Sequence, residues 1–96
     1  MSDAQPTPSR TIIQGEALAW MAGNPAEAGA SVVTSLPDVS ECSHLDFDGW
    51  REWFVTAAQR AIAWTPREGV SIFYQSDIRH EGTLVDKSYL VMKAAE

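Results

Sequence analysis

The chain has 96 residues, 45% of them hydrophobic and 21% charged, with seven basic against thirteen acidic side chains and a formal net charge of −6. Such a composition indicates one folded globular domain rather than a disordered chain, and no apolar stretch approaches the roughly 20 residues that a membrane helix needs. The acidic balance, with no two cationic residues adjacent, excludes strong binding of nucleic acid by this chain alone, because such binding rests on neutralising phosphates.

The start, MSDAQPTPSR, carries two prolines among polar residues and lacks the apolar centre of a signal peptide, so residues 1–10 are expected to be a flexible tail and the protein cytoplasmic, with no membrane partner. Residues 11–96 are expected to form the folded part. Thr11-Ile12-Ile13-Gln14 is a short β-prone segment closed by Gly15. Ala17, Leu18, Trp20 and Met21 then fall on one side of a short helix, which Gly23-Asn24-Pro25 ends. Residues 31–35 predict a second strand, in which the unbroken Val32-Val33-Thr34 suits a strand covered on both faces, and Pro37 stops it.

Trp50, Trp53, Phe54, Ala57, Ala58, Ala61 and Ile62 recur at helical spacing and leave Arg51, Glu52, Gln59 and Arg60 for water. This predicts an amphipathic helix of about four turns, with Asp46 or Asp48 capping its start and Thr65-Pro66 ending it. Pro66-Arg67-Glu68-Gly69 reads as a tight turn into a third strand at residues 70–75, with Ser76 and Asp77 just past its end. Residues 79–83 form a charged loop or hairpin tip, Asp86 is a helix cap, and a last helix starts near Tyr89. The order strand, helix, strand, helix, strand, helix implies an α/β fold with a mostly parallel sheet of three strands and three helices.

In an open parallel sheet, ligands bind beyond the carboxyl ends of the strands. Gly15-Glu16, Ser35-Leu36-Pro37-Asp38 and Gln75-Ser76-Asp77 are delivered there. Each group also has a plainer reading, as a cap or a turn, and agreement among the three favours a site. Cys42 is the only cysteine, so no internal disulfide forms, and it reads as a small buried apolar group. His44 and His80 stand far apart in the chain, so no metal site is expected. The helical spacing of Trp50 and Trp53 marks them as core rather than as a stacking platform, and Asp86-Lys87 reads as a helix start rather than a site.

The run Ile12-Ile13-Gln14-Gly15-Glu16-Ala17-Leu18-Ala19-Trp20-Met21, then Val32-Val33-Thr34-Ser35-Leu36-Pro37-Asp38, then a Trp-rich helix and Gly69-Val70-Ser71-Ile72-Phe73-Tyr74, resembles the circularly permuted S-adenosylmethionine-dependent methyltransferases that modify amino groups of nucleic-acid bases. The resemblance covers residues 11 to about 77 and implies a partial Rossmann-like methyltransferase sheet that binds S-adenosylmethionine. It places Gly15, Glu16 and Ser35 at the cofactor, with Glu16 accepting from the adenine. It makes Ser35, Pro37 and Asp38 the catalytic loop, in which a side-chain oxygen and a nearby backbone carbonyl accept from the target amine and proline holds them in place. Ser76 and Asp77 are then substrate-binding. Two positions depart from the family pattern: Leu36 replaces a proline, and Asp38 replaces the aromatic that would stack on a flipped base. The residues leave Asp38 open as a general base, as an acceptor for another polar group, or as the start of a turn with Ser40 and Glu41.

The family's glycine-rich cofactor loop has no counterpart here, so the resemblance implies an amino-terminal portion, inactive as an isolated chain. Its sheet would have a gap beside the second strand, filled by a missing carboxyl-terminal half or by self-association. A nucleic-acid substrate would need additional basic surface from elsewhere. The alternative reading is a non-catalytic α/β protein-interaction module that binds through a Trp-bearing face or an open strand edge.

Overall fold

The apolar stripe that begins at Trp50 forms the spine of the molecule. In a computed structural model, which describes residues 9–96, it lies on helix α2 (Phe47–Trp64). Asp46 caps this helix by accepting from the Gly49 amide at 2.7 Å, so the cap falls on the first of the two candidate aspartates. At the other end the Thr65 amide donates to both Ala61 and Ile62 carbonyls, and Pro66 follows. Trp50, Phe54, Ala57, Ala58 and Ala61 are buried, while Arg51, Glu52, Gln59 and Arg60 face water as their spacing predicts. The periodicity therefore sets both the helix and the face it buries.

Around α2 stand α1 (Ala17–Gly23), β1 (Val32–Thr34), a single 3-10 turn at Val39–Glu41, β2 (Ser71–Phe73), β3 (Ile78–His80), β4 (Thr83–Val85) and α3 (Lys87–Ala95). Helix α3 lies against α2 and buries Leu90 and Ala94. The core joins Trp50, Phe54, Leu90 and Cys42, with Leu36, Val39 and Leu45 packed around it, so Cys42 is the small apolar filler its sequence context suggests. Helix α1 is pinned to α2 at two tryptophans. The Trp64 indole N–H donates to the Asn24 backbone carbonyl, the Asn24 side-chain amino group to the Trp20 carbonyl, and the two rings lie 6.2 Å apart.

Over the described residues the fold is mixed α/β with three helices and two small sheets. β1 and β2 pair in parallel, with Val32 opposite Ser71 and Thr34 opposite Phe73, and α2 is their crossover. Gly69 closes the turn into β2 by donating to the Pro66 carbonyl at 2.9 Å. A Cβ there would collide with the Ala30 carbonyl, so glycine lets the two strands approach.

Three expectations are corrected. Residues 11–14 form no strand: nothing among the described residues pairs with them, and an extended segment without a ladder partner leaves its backbone to water. The third parallel strand is therefore missing, and the remaining strands β3 and β4 make an antiparallel hairpin instead. Its two-residue turn, Glu81-Gly82, has positive φ at both residues, as the twist of a tight hairpin requires, and it is the tip expected at residues 79–83. Finally, β1 is not covered on both faces, since Val33 is 72% exposed. The expected tail at residues 1–8 lies outside the described residues; Ser9 and Arg10 are exposed and irregular.

Candidate functional site at the carboxyl edge of the parallel strands

Because β1 and β2 run in the same direction and in register, the residues that follow them leave from one edge. Ser35-Leu36-Pro37-Asp38 and Gln75-Ser76-Asp77 therefore emerge side by side. The Gln75 side chain ties them: its carbonyl accepts from the Leu36 amide, and its amino group donates to the Leu36 carbonyl at 3.1 Å. A side chain here replaces the next rung of the ladder. Pro37 is held from the other side, its carbonyl accepting from the Trp50 indole N–H at 3.0 Å. The loop is thus fixed by one strand-end side chain and one core side chain, a form of preorganisation.

Replacing Gln75 by alanine removes both bonds and leaves two half-buried backbone groups of Leu36 unpaired. We expect a loss of about 1–3 kcal/mol and faster hydrogen exchange at the Leu36 amide, with the α2 amides unchanged. Exchange followed by NMR reads this directly; an unchanged Leu36 amide would show that the clamp does not hold the loop.

Asp38 forms an ion pair with Lys87, the first residue of α3, whose side chain is almost wholly buried. Asp77 accepts from the Lys87 backbone amide at 3.1 Å, so one residue meets acids from both strand ends. Burial pushes the Lys87 ammonium below the ordinary lysine value of 10.5, and the adjoining Asp38 carboxylate works against that shift. Asp38 also opens the 3-10 turn, where the Glu41 carboxylate accepts from its amide at 2.7 Å. Its own carboxylate, paired with an ammonium, is an oriented acceptor rather than an isolated negative charge.

Lys87 is the member of this cluster that sequence reasoning placed at a helix start instead of at a site. A signal was present: a lysine at the first position of a helix gains nothing from the helix dipole, which favours acids there. Only a partner elsewhere in the fold explains it.

Glu16 caps α1 by accepting from the Ala19 amide at 2.6 Å, the plainer of its two expected roles. It also lines, together with Ser35 and Pro37, a cleft of about 550 Å³ between α1, β1 and α2. Trp20, Met21, Trp53 and Trp64 give this cleft apolar walls, and its volume lies within the range of about 300–1,000 Å³ typical of small-molecule pockets. Three of the four tryptophans thus face the cleft, and Trp50 alone is fully enclosed in the core. Gly15 lies apart, in a smaller hollow with Thr11, Ile13, Gln14, Ala17 and Trp20. Ser35 and Ser76 are exposed and carry no side-chain hydrogen bond among the described residues, which leaves both hydroxyls open. Among the described residues no three histidine, cysteine or acidic side chains are grouped as a metal-ligand set, and no helix is long and apolar enough to cross a membrane.

Comparison with protein-family models, curated proteins and solved structures finds no match for this chain.

Proposed function

We propose that this chain is the amino-terminal part of an S-adenosylmethionine-dependent methyltransferase acting on a nucleic-acid amino group, with an incomplete cofactor site of its own. One observation carries the reading: the parallel pair, clamped by Gln75, brings the Ser35 loop and the Ser76-Asp77 end to one rim, and Ser35 shares an apolar cleft with Glu16. The finer fold belongs to the same proposal, a Rossmann-like parallel sheet completed by strands that this chain does not supply.

The cleft residues fit one end of the cofactor. One oxygen of the Glu16 carboxylate caps α1, and the other is free to accept from an adenine amino group between aromatic walls. The cofactor supplies an electrophilic methyl group when bound. Ser35 Oγ accepts from the substrate amine and orients its lone pair, while Pro37, fixed through Trp50, holds the loop against recoil. Asp38, oriented by Lys87, takes or relays the amine proton. Ser76 and the outer oxygen of Asp77 meet the substrate beside the rim. The net charge of −6 means that phosphate contacts come from another basic surface.

The test is an NMR titration of this chain with S-adenosylmethionine up to millimolar concentrations. Weak binding is expected, with amide shifts confined to Gly15, Glu16, Ser35, Leu36 and Asp38. No shift at those amides would overturn the reading, and micromolar affinity would overturn the claim that the site is incomplete.

A second reading, a non-catalytic interaction module, is favoured by a separate observation. Val33, Val70, Ile72 and Tyr74 are all exposed on the parallel pair, with Val33 directly opposite Ile72. Parallel sheets are normally covered on both faces, so this one is built to receive a cover.

A further inference from the structure

The cleft beside Ser35 is also a groove along a strand. Residues 31–37 line it throughout, and its floor is Trp53, Ala57 and Ala61 of α2. The Val32 amide donates to the Val70 carbonyl at 2.9 Å, and the Thr34 carbonyl accepts from Tyr74 at 2.8 Å. Alternation along the ladder then turns the Val33 N–H and C=O away from β2, towards the free edge, where no strand pairs with them among the described residues. Such an edge is a template for one more strand.

The occupant must be short, extended and uncharged, with apolar side chains for the α2 floor. The chain contains such a segment: Thr11-Ile12-Ile13-Gln14 is β-branched, uncharged and unpaired, with Ile12 85% and Ile13 55% exposed. Its own β1 is screened from it, because Trp20 of α1 lines both the groove and the hollow that holds Thr11, Ile13 and Gln14.

We propose that the groove receives residues 11–14 of a second copy of this chain, added to β1 as a parallel strand and exchanged reciprocally in a two-fold dimer. Charge selects the direction. In the parallel register Arg10 arrives at the amino end of β1, near Glu27 and near Glu68, whose carboxylate already accepts from the Gly29 amide. In the antiparallel register Arg10 meets the opposite end, where Lys87 already occupies Asp38. This deepens the interaction-module reading and rests on it; a strand seated here fills the cleft that the methyl-transfer reading gives to the cofactor, so the dimer and cofactor binding exclude one another.

Sedimentation equilibrium of the chain tests it. A dimer is expected, with alternate amides within residues 11–14, those turned towards β1, protected from hydrogen exchange. The double substitution Ile12→Asp/Ile13→Asp should weaken it by about a hundredfold or more, the scale of losing at least 2.7 kcal/mol. Val33→Pro, which removes the outward amide without touching the bonds to β2, should weaken it by about tenfold, with the circular dichroism spectrum unchanged in both variants. A monomer with residues 11–14 protected would place the segment on its own β1, and a monomer without protection would leave the groove empty; either overturns the proposal. A dimer indifferent to Ile12→Asp/Ile13→Asp but dissociated by Ile72→Asp also overturns it, while leaving the interaction-module reading intact.

Discussion

Replacing Trp50 by alanine is expected to cost about 3–5 kcal/mol, the usual range for truncating a large aromatic in a core. Trp50 is 0% exposed and lies between Phe47 and Phe54, with ring centroids 5.8 and 5.4 Å away. The substitution opens a cavity under α2 and also strips the Pro37 carbonyl of its donor. Domains are stable by about 0.05–0.15 kcal/mol per residue, so for a chain of this size a large part of the margin disappears. Urea unfolding followed by circular dichroism measures the loss. Trp50→Phe separates the two effects: it keeps most of the apolar volume but not the indole N–H. It should cost about 1–2 kcal/mol and loosen the Ser35 loop specifically, seen as faster exchange at the Leu36 and Asp38 amides. A cost for Trp50→Ala below about 1.5 kcal/mol would mean that the core does not close around this ring.

The second large effect is an asymmetry. Asp38→Ala leaves the Lys87 ammonium buried without a counter-charge, whereas Lys87→Met leaves a carboxylate that is one-third exposed and keeps the apolar stem in place. Breaking a buried pair from one side costs about 3–5 kcal/mol, and replacing the charge by an apolar group of similar shape is often neutral. Water reaches Asp38, so we expect about 2–3 kcal/mol for Asp38→Ala and less than about 1 kcal/mol for Lys87→Met. The double variant should lie close to Lys87→Met alone, because the penalty in Asp38→Ala belongs to the stranded ammonium.

The pH dependence has a definite sign. The folded value of Lys87 lies below 10.5, so between the two values the unfolded chain holds a proton that the folded chain has released. Stability from this group therefore rises with pH through that window, up to the unfolded value, and the rise is absent in Lys87→Met. In Asp38→Ala it begins at lower pH, since the favourable charge is gone. Denaturation curves of the three proteins from neutral to alkaline pH check this; a Lys87→Met protein as unstable as Asp38→Ala would show that the lysine, not its desolvation, stabilises the fold.

The same pair separates stability from chemistry in the methyl-transfer reading. Lys87→Met preserves the Asp38 carboxylate but frees it from its ammonium, so it alters the orientation of a proton acceptor without deleting it. Gln75→Ala acts on the Ser35 side of the loop.

Local signals carried the helices. The α2 stripe from Trp50 to Ile62 needed only 3.6-residue spacing, and the aspartates at 46 and 86 announced caps that the structure uses, Asp86 accepting from the Tyr89 amide at 3.1 Å. Strand ends were equally readable where a residue forbids continuation, as Pro37 does. Pairing was not readable in that way. Residues 11–14 have strand composition, yet a strand exists only when something bonds to it, and no local property states whether a partner is present. The hairpin of β3 and β4 was legible only as a loop or hairpin tip at residues 79–83, because Glu81-Gly82 is a weaker turn signal than asparagine-glycine and its three-residue strands are too short to show alternation.

By itself, then, the sequence determined the helical spine, the caps, the turn at Gly69 and two of the three expected polar strand ends, because each depends on residues within a few positions of one another. The tertiary structure decided that two strands and not three lie parallel, that Gln75 bridges to Leu36 thirty-nine positions away, and that Lys87 meets Asp38. Those depend on which distant groups share a space from which water is excluded, and that is a property of the packed chain rather than of any stretch of it.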